Sequence, residues 1–94
     1  MLDQQSKRRL RGLCHALSPV VIVAGKGLSE SVCAEIDAAL ESHELIKIKL
    51  RADREQRRIW AESIAQRSGA ELVQQIGQTA CFFRPNPNKR RILV

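Results

Sequence analysis

Helical and strand patterns alternate along this 94-residue chain, and their order admits few folds. At residues 45–51 apolar and cationic side chains alternate strictly, which is typical of a strand with one buried face and one wet face. Two later strands meet at Gly77-Gln78, where glycine suits the first central position of a type II′ hairpin turn. The predicted order, α-β-α-β-α-β-β, indicates an α/β fold: a two-layer sandwich with a four-stranded mixed sheet.

Each predicted helix begins at a residue that can cap the free N–H groups of a first turn. We place these caps at Ser6, Ser29 and Asp53, the last followed by Gln56 at the spacing of a capping box. Gly69 is a suitable end for the third helix. Three apolar residues of that helix are expected to enter the core: Ile59, Trp60 and Ile64.

The first strand and the segment that follows the last strand allow two further predictions. Residues 20–23 are apolar without interruption, which predicts a strand covered on both faces or central in the sheet. Prolines and cations follow Phe83, so we expect a basic flexible tail from about residue 85 to Arg91 and beyond. A chain of this length has room for one core, so residues 1–94 should form a single domain.

The charge balance indicates the kind of partner. Lys and Arg number 16 against 10 Asp and Glu, a formal net charge of +6, and most of the cations are arginine. Arginine bonds phosphate oxygens bidentately, so a nucleic acid is favoured among polyanions. No Lys or Arg occurs between Leu28 and Ile46, so the cations must gather on other parts of the surface.

Other classes of protein find little support in the sequence. No apolar run of about 18 residues occurs, and the N-terminus leads into a charged helix without a signal-peptide stretch, so we expect a cytoplasmic protein. Cys14, Cys33 and Cys81 are widely spaced and are expected to be free thiols. His15 and His43 lack partners at metal-ligand spacing. We therefore expect neither catalysis nor a metal or cofactor.

The loop Gly25-Lys26-Gly27 joins the first strand to the second helix and is suited to an anion. Glycines let the backbone approach a phosphate, the helix N-terminus offers N–H groups, and Lys26 adds a charge. A Walker A loop is excluded because Gly27 stands where Ser or Thr is required. A dinucleotide fingerprint is disfavoured because Glu30 replaces its third glycine. A plain β-to-α connection is the structural alternative, and the basic surroundings favour binding.

Several segments together carry a resemblance to a known family. They are Lys7–Leu13 in the opening helix, the apolar strand, the loop with Leu28-Ser29-Glu30, Ala34–Ile36, His43–Lys47 and Ile76-Gly77. With these the chain resembles, over nearly its whole length, the CRM domain, the RNA-binding module of the YhbY-like family. The resemblance implies a stand-alone bacterial protein associated with precursors of the large ribosomal subunit. It also implies a fold similar to the C-terminal domain of translation initiation factor three.

One position departs from the family pattern. The family turn carries glycine where this chain has Ala24, and Gly25 is expected to supply the permissive backbone instead.

We predict that RNA phosphates are contacted by the loop and by cations on the first helix, the second strand and the third helix. The predicted RNA-binding residues are Gly25, Lys26, Gly27, Lys7, Arg8, Arg11, Lys47, Lys49, Arg51, Arg54, Arg57 and Arg84. A solvated helix face is an equally good explanation of the first-helix cations, and pairing with Glu62 explains Arg58. Phe82, which shares a strand face with Arg84, is the candidate for stacking on a base. Recognition should otherwise be of backbone and shape.

These observations favour a monomeric RNA-binding protein that contacts rRNA of the precursor large ribosomal subunit and assists its assembly. The alternative is a protein-interaction module that docks a ribosomal protein through the acidic second helix, at Glu35, Asp37 and Glu41. DNA binding also stays open, because DNA presents the same phosphates.

Overall fold

The computed structural model describes residues 2–88, which form three helices and four strands. Their bounds are α1 Gln4–Cys14, β1 Pro19–Val23, α2 Glu30–His43, β2 Leu45–Leu50, α3 Arg54–Ser68, β3 Glu71–Ile76 and β4 Thr79–Phe83. The predicted element order and α/β class are confirmed. None of the described helices has the length and hydropathy needed to cross a bilayer.

The helix caps show how closely the sequence sets the element ends. Ser29 and Asp53 cap α2 and α3 as predicted, and Gly69 ends α3 with a φ of 74°. The start of α1 was predicted three residues too late: Asp3 is the cap, and its carboxylate accepts from the Ser6 N–H at 2.8 Å. This hydrogen bond holds the pKa of Asp3 below its ordinary value. Both residue types cap well, so composition alone could not choose between them.

The four strands form one mixed sheet in the order β1-β2-β4-β3. β1 and β2 are parallel, while β2–β4 and β4–β3 are antiparallel. At the hairpin between β3 and β4, Gly77 has a φ of 55° and Gln78 does not have a positive φ, which is the type II′ pattern. The mixed four-stranded sheet and its final hairpin therefore follow the prediction.

Helices cover both faces of the sheet. Successive residues of β4 point to opposite faces: Phe82 belongs to the core beneath α2 and α3, and Phe83 belongs to a second core beneath α1. Leu10 and Cys14 attach α1 to this second core. The sheet with α2 and α3 forms the predicted two layers, and α1 adds a partial third layer on the opposite face.

Two apolar expectations were wrong. β1 lies at the sheet edge, and Val20 and Ile22 are about half exposed (51% and 52%), because α1 covers only part of its face. An uninterrupted apolar run does not distinguish a central strand from an edge strand with an exposed apolar face. On α3, Ile59 is exposed, whereas Ala61 and Ile64 are buried in the core and the half-buried Trp60 packs against it.

The residues after β4 are held against α2. Asn86 is buried, its backbone N–H donates to Glu44 Oε2 at 2.5 Å, and its side-chain amide donates to the Glu41 carbonyl at 3.2 Å. The start of the predicted tail at about residue 85 is therefore too early. Glu44, with a φ of 61°, is itself buried at the end of α2, and its carbonyl accepts from the Arg84 N–H. The remaining predicted tail residues, 89–94, lie outside the described residues.

Candidate nucleic-acid interface

Three connecting segments meet at one edge of the sheet. Because β1 and β2 are parallel, the residues that follow them leave from the same edge. The Arg51 N–H donates to the Val23 carbonyl at 2.8 Å, which ties the end of β2 to the end of β1. The hairpin reaches the same edge, where the Gln78 carbonyl accepts from the Leu50 N–H. We call this region, residues 24–28, 51–54 and 77–78, the loop edge.

The Gly-Lys-Gly segment forms a tight turn at the loop edge. The Gly27 N–H donates to the Ala24 carbonyl at 2.6 Å, and Gly27 has a φ of 64°. Neither Ala24 nor Gly25 has a positive φ, so alanine fits its position without strain. The expectation that Gly25 supplies the permissive backbone was wrong, because Gly27 supplies it. Lys26 lies exposed at the tip of the turn.

The turn rests on the side chain of Trp60. A Cβ built on Gly27 would lie 3.5 Å from Trp60 Nε1, which is ordinary contact distance. Trp60 is half-buried and packs against the core beneath α2 and α3, as does Leu28. The interpretation of Trp60 as a core residue is confirmed. The loop is therefore supported from below while Lys26 stays in solvent.

The cationic strip on β2 lies on the sheet face that α1 leaves partly uncovered. Lys47 and Lys49 are half-exposed on this face. Lys49 lies opposite Ile22 on β1 and opposite Thr79 on β4. We call this uncovered region the open face; it comprises Val20, Ile22, Lys47, Lys49, Gln74, Ile76 and Thr79. Within residues 2–88 no carboxylate forms a salt bridge with Lys47, Lys49 or Arg51. Their charges therefore remain available to a ligand.

The first turn of α3 continues the basic surface of the loop edge. Arg57 Nη1 donates to the Ala52 carbonyl at 2.7 Å and holds the connection between β2 and α3. Arg54 is exposed beside it, and both line a groove of about 530 Å³ next to Gly77.

Arg58 lines the same groove, but its charge is paired with two carboxylates. It bonds Glu55 at 2.5 Å and Glu62 at 2.8 Å, as the helical spacing predicts. The hydrogen bond from Arg58 lowers the pKa of Glu55, and the same contact raises the pKa of Arg58. The two carboxylates outnumber the single guanidinium, so this cluster on the exposed side of α3 adds no net positive charge.

The three predicted cations of α1, Lys7, Arg8 and Arg11, do not act as one group. Lys7 Nζ lies 3.7 Å from Glu71 Oε2, so its charge is partly offset. Arg8 is exposed, and Arg11 is half-exposed. His15 lies one turn after Arg11, and it lines a groove together with Lys47 of the open face. His15 therefore adjoins the open face, Arg11 lies one turn before it, and Lys7 is tied to the start of β3.

Arg84 does not join the basic surface. Its guanidinium bonds Asp37 at 2.7 Å and Glu41 at 3.2 Å, and it donates to the Ser68 carbonyl at 2.9 Å. These contacts link the end of β4 to α2 and to the end of α3. These contacts give Arg84 a structural role, and its predicted RNA contact stays a prediction. The prediction for Phe82 is corrected: it is fully buried, so it cannot stack on a base.

The cysteines lie away from the loop edge. Cys14 on α1 and Cys81 on β4 are buried free thiols in the second core, and Cys33 is a half-buried free thiol on α2. The hydrogen bond between Cys14 and Cys81, together with burial, raises the pKa of Cys14, so this thiol stays protonated. In the described part of the chain no group of three or more His, Cys, Asp or Glu side chains could hold a metal ion.

Fold and surface together define a small α/β domain whose basic loop edge carries an exposed Gly-Lys-Gly turn. Residues 2–84 match the model of one family, the CRS1/YhbY (CRM) domain. The chain belongs to this family.

Similar proteins come from several bacteria. A probable RNA-binding protein of Pseudomonas aeruginosa is 43% identical over 98% of this chain and 89% of its own length. An RNA-binding protein of Haemophilus influenzae is 44% identical over 90% of this chain and 87% of its own. The solution structure of a Staphylococcus aureus protein, described as a candidate RNA-binding protein, superposes with a TM-score of 0.86 at 30% identity. It covers 100% of this chain and 99% of its own.

Proposed function

We propose that this protein binds RNA through phosphate contacts made at the loop edge and the open face. The observation that carries the proposal is the convergence of Lys26, Lys49 and Arg51 at one end of the sheet without carboxylate partners among the described residues. Uncompensated cations clustered on one surface attract a polyanion and bind its phosphates as counterions leave. The description of relatives from three bacteria as RNA-binding or probable RNA-binding proteins supports RNA as the polyanion.

The residues have different places in this proposal. Lys26 is central, because the turn between β1 and α2 presents it at an exposed tip supported by Trp60. Arg51, Arg54 and Arg57 continue the phosphate path along the loop edge. Lys47 and Lys49 extend it over the open face, where Arg11 and Arg8 of α1 flank it and Lys7 contributes less because of Glu71. Phosphate contacts fix position and carry little sequence information, so sequence preference is modest.

The partner we propose is rRNA of the precursor large ribosomal subunit, with assembly of that subunit as the process and the cytoplasm as the place. This identity is supported by the resemblance to stand-alone CRM proteins. We further propose that the protein acts as a monomer and as a binder rather than as an enzyme.

The protein-docking alternative is weaker than RNA binding. Asp37 and Glu41 of α2 are already paired with Arg84, which leaves Glu35 as the exposed acidic residue of the three without an ion pair among the described residues. A basic ribosomal protein would therefore meet a partly neutralised helix face. Reversing the charge with E35K separates the two functions: it weakens protein docking and leaves RNA affinity unchanged.

The direct test of the loop is Lys26→Ala. Titration with a large-subunit rRNA fragment over a range of salt concentrations should show weaker binding and a salt slope shallower by about one unit, the loss of one phosphate contact. Arg67→Ala is the matched control, because Arg67 is an exposed cation that lies beside α2 and away from the loop edge. Equal affinity and slope in wild type and K26A would overturn the role of the loop.

The identity of the RNA needs a separate experiment. Crosslinking in cells followed by sequencing of the bound RNA names the partner without assuming it. We expect large-subunit rRNA to be enriched over other RNAs. Recovery of RNA without rRNA would reject the ribosomal part of the proposal and leave RNA binding in place.

A further inference from the structure

A second feature of the open face is a groove between α1 and the sheet. It has a volume of about 280 Å³. Its lining residues are His15, Lys47, Gln74, Ile76, Thr79 and Cys81. Drug-sized ligands occupy pockets of about 300 Å³ or more, so this groove suits a smaller flat group.

Strand register brings the walls of the groove together. Cys81 lies between Lys47 on β2 and Gln74 on β3 and forms the buried floor. Thr79 lies two residues before Cys81 on the same face of β4, opposite Ile76 on β3. His15, the C-terminal cap of α1, closes the groove from the opposite side. The groove therefore has an apolar wall, a polar edge and a cation within one small volume.

Two polar side chains have hydrogen-bonding capacity to offer. Thr79 Oγ1 donates its proton to the Ile76 carbonyl at 3.0 Å, which leaves the hydroxyl oxygen as an acceptor. Gln74 lines the groove, and within residues 2–88 its side-chain amide forms no hydrogen bond with the protein, so its donor and its acceptor are both available to a ligand. One acceptor and one amide can bond the edge of a nucleobase.

His15 supplies the aromatic surface. Histidine is one of the side chains on which unstacked RNA bases are held. Phe82 and Phe83 are fully buried, and Trp60 lies under the loop, so among the described residues His15 is the ring that lines this groove. His43 lines a separate groove beside Lys47 and Val20. The position of His15 beside Lys47 places a cation where the phosphate of the same nucleotide can lie.

We propose that this groove, the base groove, holds one unpaired nucleobase of the bound RNA. His15 stacks on the ring, Ile76 forms the apolar wall, Gln74 and Thr79 bond the base edge, and Lys47 bonds the phosphate. The inference rests on the proposed RNA binding and adds a base contact to a surface otherwise built for phosphates. A bulged or looped nucleotide in folded RNA has the required shape, because it is unstacked and can leave the helix.

The test compares two RNA hairpins that differ at a single bulged position, where one carries a base and the other an abasic nucleotide. The phosphates are the same in both, so the difference isolates the base. Wild type should bind the hairpin with the base about tenfold more tightly, within the range for one base stacked on an aromatic ring. H15A should bind both hairpins with equal affinity, close to that of wild type for the abasic one.

The controls separate the base groove from RNA binding itself. H43A is matched, because His43 is exposed at the end of α2 and does not line the groove; it should keep the tenfold preference. Equal binding of both hairpins by wild type, or an equal loss on both in H15A, overturns the base groove and leaves RNA binding standing. Salt-insensitive binding, or no binding of either hairpin by wild type, overturns both proposals.

Discussion

Gly25 and Gly27 stand two residues apart in the same turn, yet their backbones differ. Gly27 has a φ of 64° and lies against Trp60, whereas a Cβ on Gly25 would meet nothing within 4 Å. An L-residue in the left-handed region costs about 1–2 kcal/mol. Gly27→Ala should therefore lower the free energy of unfolding by about that amount in urea titrations, and Gly25→Ala should change it by less than about 0.5 kcal/mol. Equal effects of the two substitutions would contradict the backbone assigned to the turn.

Substitution of Arg84 tests whether this cation stabilises the fold or binds RNA. Its side chain is 21% exposed, but both carboxylates are about two-thirds exposed, so solvent screens the pairs. With the hydrogen bond to Ser68 included, Arg84→Ala should lower the free energy of unfolding by about 1–2 kcal/mol. RNA affinity, measured below the unfolding transition, should stay within about twofold of wild type. A tenfold loss would return Arg84 to the RNA surface.

At the residue scale, sequence reasoning identified cations but not their partners. The spacing of Arg58 from Glu62 could be read directly, because the pair lies within one helix. Arg84 and Asp37 lie 47 residues apart and meet only in the folded chain. Gln74 and Thr79 carry no charge signal, and only strand register brings them beside Lys47. The groove residues other than the cation could therefore not be found in advance.

At the element scale, α1 is attached to the sheet by few side chains. Leu10 is fully buried against β2, β3 and β4, while Leu13, three residues later, is 39% exposed. Leu10→Ala removes packed volume that the surrounding core cannot refill, so the expected loss of stability is about 2–5 kcal/mol. Leu13→Ala is the matched control and should cost less than about 1 kcal/mol. Thermal unfolding of the two variants checks this, and similar losses would contradict the described docking of α1.

The ends of a helix could be predicted from the sequence where a single residue was the best candidate for the cap. Ser29, Asp53 and Gly69 set helix ends as predicted, because capping depends on neighbours in sequence. The start of α1 was misplaced because Asp3 and Ser6 are both good caps. The exposed face of β1 was missed because its four valine and isoleucine residues carry no polar alternation to show which side is wet.

At the scale of the whole molecule, element order predicted the class and the mixed sheet, since alternating helices and strands have few compact arrangements. The side of the sheet on which α1 packs depends on contacts from Leu10 and Cys14 to β4, far along the chain, and local pattern does not contain it. The pairing of β2 with β1 and with β4 joins the loop edge and the open face into one basic surface.

We propose that this basic surface, and not net charge in general, binds RNA. One triple variant removes Lys26, Lys49 and Arg51 of the surface by alanine substitution. The control removes Arg9 and Arg67, which are exposed outside the surface, and Arg58, whose charge is paired with Glu55 and Glu62. Both lose three positive charges from a net charge of +6. The decisive measurement is the salt dependence of affinity for the same rRNA fragment. The surface variant should bind more weakly, with a slope shallower by about two to three units, and the control should keep a slope within about one unit of wild type. Equal slopes in the two variants would contradict the proposal that this surface binds RNA.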